Sequence, residues 1–185
     1  PTTVFLPAGS GDLRAADGGT PQPEHAHPPL TIMLVLTQLA VGGFILELLV
    51  RLAGVPEGVC GPVFPPVCLA LGFVGLGASL AHLGRPLYAY RAILGIRHSW
   101  LSREVAALGA FAKAAGAYVA VEMLSPESLR LAEWLPTALL GGAAVLGAAG
   151  VGSSVMVYHA VRRPSWRASI AGGKFFGTAA MLGLA

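Results

Sequence analysis

The chain has 185 residues, 55% of them apolar and only 11% charged, with a strongly positive mean hydropathy. That composition excludes a soluble globular domain and marks a membrane protein. A net charge of +3 is modest, and the basic residues gather at the ends of apolar runs rather than on a soluble face, which excludes a nucleic-acid-binding surface.

Residues 1–28 are polar, rich in Pro and Gly and full of turn signals, and predict a surface extension or linker ahead of a transmembrane domain over 29–185. No secretory signal pattern opens the chain. It starts on Pro1, and its last apolar run stops at Leu184 and Ala185, so it is expected to be a fragment or processed piece. His25 and His27 precede the first span; a metal role would need a third ligand, and none is near in sequence, so an interfacial or partner contact is expected.

The first span, Leu30 to Val50, has about the twenty residues that a helix needs to cross the hydrocarbon core. Glu47 near its end stands one turn before Arg51, a spacing at which the two can pair on one helix face. A loop closed by Pro65 and Pro66 leads to a second span from about Val67 to Leu83, with Gly72, Gly75 and Ser79 as a small-residue stripe for close helix contact. Cys60 and Cys68 lack the paired spacing of a zinc, haem-attachment or iron–sulfur site and read as ordinary thiols. A third span is predicted from near Ser102 to about Met123, with Lys113 inside it, snorkelling, paired or lining a proton path. A fourth runs from about Leu135 to Ala160, and a fifth starts near Ala168. Long apolar runs of this kind predict helices rather than a barrel. The expected fold is therefore all-α: a polytopic transmembrane bundle of four complete spans and the start of a fifth.

Between the second and third spans lies HLGRPLYAYRAILGIRHSWLSREV, residues 82–105, which concentrates the charge of the middle of the chain. Topology puts the 84–101 loop within it, the N-terminal extension and the 161–167 loop on one side of the membrane. That side collects Arg14, Arg85, Arg91, Arg97, Arg103, Arg162, Arg163, Arg167 and Lys174, against Arg51 and Arg130 on the other, and the positive-inside rule favours a cytoplasmic basic face. A docked partner or anionic headgroups would account for the arginines equally well. Arg85, Arg91 and Arg97 spread around a helical axis, so the connection is not a simple amphipathic surface helix. Tyr88, Tyr90, His98 and Trp100 suit an interfacial belt.

His82 closes the second span and Glu104 opens the third, at similar depth. Ionisable groups at such positions mark pathways or sites, and a His and a carboxylate can both exchange protons with a hydroxyl. Each also has a plain structural explanation: Glu104 in a first helical turn capped by Ser102, favoured by the helix dipole, and His82 satisfied by a backbone carbonyl. His159 returns to the same face, and a pair of histidines from two helices raises the alternative of a b-type haem.

The order HAHPPLTIMLVLTQLAVGGF, HLGRPLYAYRA with SWLSREV, then VYHAVRRPSWR leading into KFFGTAAMLG, resembles the membrane anchor subunit of the dimethyl sulfoxide reductase family of molybdenum oxidoreductases, from about His25 to Ala185. The resemblance implies an eight-helix bundle in a bacterial inner membrane that binds no haem or metal itself. It implies oxidation of menaquinol or ubiquinol near one face, with electrons passed to a four-cluster iron–sulfur subunit. That partner relays them to a catalytic subunit with a molybdopterin guanine dinucleotide cofactor. Matched by motif, His82 and Glu104 fall on the positions implicated in quinol oxidation. Arg85 and Tyr88 join the expected quinol-binding set, and Arg91, Arg97 and Arg103 the expected partner-binding set. The N-terminal strip looks like the tail of an iron–sulfur subunit fused to the anchor. A haem-b cytochrome anchor and a transporter or proton-channel fragment, with Lys113 and Glu47 as its candidates, are the alternative readings.

Overall fold

The computed structural model describes residues 28–55, 61–81, 86–124, 134–161 and 166–184. They form five α-helices, α1 (Pro28–Leu52), α2 (Phe64–Ala81), α3 (Trp100–Leu124), α4 (Trp134–Ala160) and α5 (Ala168–Leu184), and a 3₁₀ segment, Pro86–Gly95, ahead of α3. No strand occurs among the described residues, and the all-α bundle expected from the apolar runs is what forms. By length and composition α1, α3 and α4 suffice to cross a membrane. α2, with 18 residues, rises about 27 Å and is shorter than the typical hydrocarbon core.

Local chemistry sets the helix limits. α1 starts on Pro28, a position where the missing N–H costs nothing. It ends in a Schellman turn: Gly54 has φ 67°, its N–H donates to the Arg51 carbonyl at 3.2 Å, and Val55 N–H donates to Val50 at 3.3 Å. Pro65 and Pro66 lie in the first turn of α2, three residues or more beyond Gly61 at φ 73°. The cap of α3 differs from expectation. Ser102 N–H donates to Ser99 Oγ at 3.4 Å, so Ser99 rather than Ser102 is the cap, and the helix begins at Trp100. Two further residues of helix thus precede the expected start.

The connection 86–99 also departs from a plain loop, because ten of its residues wind into the 3₁₀ helix, long for its kind. His98 and Ser99 N–H groups both donate to the Gly95 carbonyl at 2.9 Å, turning the chain into α3. Arg103 secures this turn: its Nε donates to the Ile96 carbonyl at 3.0 Å and its Nη2 to the Arg97 carbonyl at 3.1 Å, and its guanidinium lies 4.2 Å from the centre of the Trp100 ring.

α1 is the hub, packing on α2, α5 and α4, while α4 also packs along α3 and touches α5. Small residues set these approaches. A Cβ at Gly42 would overlap the Ala179 carbonyl oxygen, and one at Gly183 would sit 2.5 Å from the Gly42 carbonyl carbon, so α1 and α5 cross backbone on backbone. On α2, Gly72 faces Ala40 and Gly75 faces Leu36 and Thr37 of α1, the close contact that its small-residue stripe predicts. α3 and α4 run antiparallel with matched steps: Gly150 lies against Leu108 and Gly147 against Phe111. At the centre Phe44 meets Phe111 edge-on at 5.5 Å and Tyr118 at 6.1 Å, joining α1 to α3 through a buried aromatic core.

Candidate functional site

The matched steps of α3 and α4 bring Glu104 opposite Ser154. Because α3 begins at Trp100, Glu104 falls in the second turn, beyond the reach of first-turn dipole stabilisation, and no acidic residue occupies the first turn. Its side chain is turned inward and only 5% exposed. Ser154 Oγ donates to Glu104 Oε1 at 2.5 Å, with the Gly150 carbonyl as a second acceptor at 3.3 Å. No cationic side chain bonds Glu104 among the described residues. A carboxyl group so placed, with a hydroxyl for its partner, is chemically able to take up and release a proton.

α4 continues the site with Tyr158, one turn beyond Ser154 and within electrostatic reach of Glu104. The Tyr158 ring is fixed edge-on between Trp166 at 5.0 Å and Phe175 of α5 at 5.3 Å. Neither Ser154 nor Tyr158 stands out in the sequence. Ser154 reads as one more small residue in a Gly/Ala/Ser run, and only a helical register between α3 and α4 would single it out.

The other expected site residues distribute as follows. His82 and Arg85 lie outside the described residues, as do His25, His27, Arg162 and Arg163. Tyr88 and Arg91 are both exposed on the 3₁₀ segment, with the Arg91 guanidinium 5.6 Å from the Tyr88 ring centre. Arg97 and His98 are exposed in the turn that follows, and His159 is exposed in the last turn of α4. Arg103 is occupied by the carbonyls of Ile96 and Arg97. Lys113 is exposed on the outer side of α3, in mid-span.

A second polar cluster occupies the far end of α3. Arg51 does not pair with Glu47 on its own helix; its Nη1 donates to Glu122 Oε1 of α3 at 2.7 Å. Glu47 instead accepts a hydrogen bond from the buried Tyr118 hydroxyl at 3.2 Å. Long side chains of α1 and α3 reach each other at this end, where the i, i+4 geometry within one helix offers only a weak surface pairing.

Antiparallel apolar helices, packed through glycines and carrying a protonatable carboxyl at one end, define a polytopic helical membrane protein. The chain belongs to the DMSO reductase anchor subunit (DmsC) family, whose model matches residues 24–185. It is 29% identical over 160 residues to one of the chains of the anaerobic dimethyl sulfoxide reductase of Haemophilus influenzae, a match covering 84% of this protein and 55% of that one. A 42-residue stretch is 60% identical to one of the subunits of the sulfite dehydrogenase of Allochromatium vinosum, covering 23% of this protein and 13% of that one. The chain thus spans about half the length of the first relative and less of the second. No solved structure matches.

Proposed function

We propose that this membrane anchor oxidises a quinol, menaquinol or ubiquinol, at the end of the bundle that bears Glu104. The buried Glu104 carboxyl, held among the described residues by a hydroxyl and not by a cation, carries the reading. Oxidation of a quinol gives a quinone, two protons and two electrons, so the site needs a proton acceptor beside the ring hydroxyls and an electron acceptor within reach. Glu104 is the proton acceptor, and His82, implied by the family resemblance, holds one quinol oxygen together with Arg85 and Tyr88. The electrons pass to a four-cluster iron–sulfur subunit docked on the same face, against Arg91, Arg97 and the turn that Arg103 holds, and from it to a molybdopterin guanine dinucleotide subunit. The complex sits in a bacterial inner membrane.

The 60% identity over 42 residues to a sulfite dehydrogenase subunit supports a second reading, with electrons flowing inward and quinone reduced. The proton chemistry of Glu104 then runs in reverse. Glu104→Gln in the assembled complex tests both: quinol-dependent reduction of the partner's clusters, and the reverse reaction with quinone, should each fall by about a hundredfold or more. Unchanged rates in both directions would remove Glu104 from the chemistry.

A further inference from the structure

We propose that Ser154 is a positioning residue whose hydroxyl alternates between the Glu104 carboxylate and the Gly150 carbonyl, so that Glu104 stays hydrogen-bonded in both of its protonation states. The inference rests on the quinol-oxidising reading and adds to it a residue on α4.

In an apolar interior a carboxyl group without a partner is costly in either form. A fixed cation beside it would hold it ionised, and a lone carbonyl would hold it protonated. A serine hydroxyl does neither, because it carries one proton that rotates and lone pairs that accept. The structure supplies both settings. With Glu104 ionised, Ser154 O–H donates to Oε1 at 2.5 Å. When Glu104 takes a proton from a quinol hydroxyl, the carboxyl O–H donates to Ser154 Oγ, and the serine proton turns to the Gly150 carbonyl, 3.3 Å away. On release of the proton the bonds return. The serine gains and loses no proton, and the quinol's oxygen–hydrogen bond is the one exchanged for the carboxyl's.

Close helix approach makes this arrangement available. A Cβ on Gly150 would lie 2.5 Å from Leu108 Cδ2, and these two residues stand one turn from Ser154 and Glu104 along their helices. Gly150 therefore both accepts the alternate bond and permits the short Glu104–Ser154 distance. Among the described residues, Tyr158 of α4 lies within electrostatic reach of the carboxyl with its ring edge-on to Trp166 and Phe175, and Arg103 of α3 is turned to the carbonyls of Ile96 and Arg97.

The test uses the full-length anchor in its assembled complex, with a short-chain menaquinol or ubiquinol analogue as donor and steady-state kinetics and redox-difference infrared spectroscopy as readouts. The carboxyl band of Glu104 is the one that Glu104→Gln abolishes. Ser154→Ala should lower kcat about tenfold with KM within about twofold, and should move the carboxyl band to higher wavenumber as its hydrogen bond is lost. Ser154→Thr, which keeps a hydroxyl, should retain the wild-type band and most of the rate. An unshifted band, an unchanged kcat, or failure of Ser154→Ala to assemble would each overturn the proposal, the last by making the hydroxyl a folding element. Wild-type turnover in Glu104→Gln would instead bring down the quinol reading itself, so the two failures are told apart.

Discussion

The two ends of α3 each place a glutamate against a neighbouring helix, yet they do so with opposite chemistry. Glu122, near the C-terminal end, takes the Arg51 guanidinium of α1 at 2.7 Å, and both side chains keep about a quarter of their surface exposed. Glu104, about 27 Å away along the axis, is sealed against α4 and, among the described residues, is hydrogen-bonded by Ser154. A carboxylate beside a permanent cation is one half of an ion pair, whereas one beside a hydroxyl has a partner that can both donate and accept. The Glu122 end therefore acts as a clasp that joins α1 to α3, and the Glu104 end is the one we propose for proton transfer. One helix serves both purposes because its ends face different partners.

Substitutions at the two ends should separate them. Glu104→Gln is expected to have the largest effect, a loss of about a hundredfold or more in quinol-dependent turnover with little change in the yield of complex. Gly42→Leu should come next. It forces α1 and α5 apart where their backbones touch, and thermal unfolding in detergent should register a destabilisation of about 1–3 kcal/mol or a failure to insert. If that variant were as stable as the wild type, α1 and α5 could not cross backbone on backbone at Gly42. Gly150→Ala probes the Glu104 end through packing alone. By pushing Leu108 away and widening the α3–α4 contact, it should cut turnover about tenfold while leaving the far clasp intact, a prediction that kinetics and thermal unfolding together decide. Glu122→Gln should show the contrast most directly: stability falls by no more than about 1 kcal/mol, since the pair is partly exposed, and turnover stays within about twofold of wild type. A large loss of turnover there would erase the distinction between clasp and proton site. Smallest of all in turnover, Tyr118→Phe removes one hydroxyl from Glu47 and should leave kinetics unchanged, at a stability cost of about 0.5–1.5 kcal/mol.

Much of the fold is legible in the sequence because membrane spans obey length and hydropathy, and both are linear properties of sequence. The ends are less so. α3 starts as early as Trp100 because the cap is chosen by a hydrogen bond between Ser99 and Ser102, and two serines three residues apart offer no linear basis for choosing between them. Spacing makes Glu47–Arg51 a reasonable pair within one helix, but Glu122 lies 71 residues from Arg51 and meets it only because the fold brings the two side chains together. Ser154 is hidden for the same reason: among the glycines, alanines and serines of α4 a hydroxyl facing a carboxyl looks no different from one facing a helix backbone, as Ser153 does toward the Ala149 carbonyl. The resemblance singles out Glu104 as a residue, and nothing in the sequence names its partner.

By itself the sequence determined the all-α membrane class, the family, and the gathering of charge around the 82–105 connection, since hydropathy, motif order and charge placement need no third dimension. Only the tertiary structure decided that Glu104 is buried beyond the first turn of its helix and that Ser154 across the α3–α4 contact is its partner. It likewise decided that Arg103 is spent on holding a turn and that the ion pair at the opposite end joins two helices. Those choices depend on which helix faces meet and at what register, and glycines at 42, 147, 150 and 183 set that register by how closely they let backbones approach.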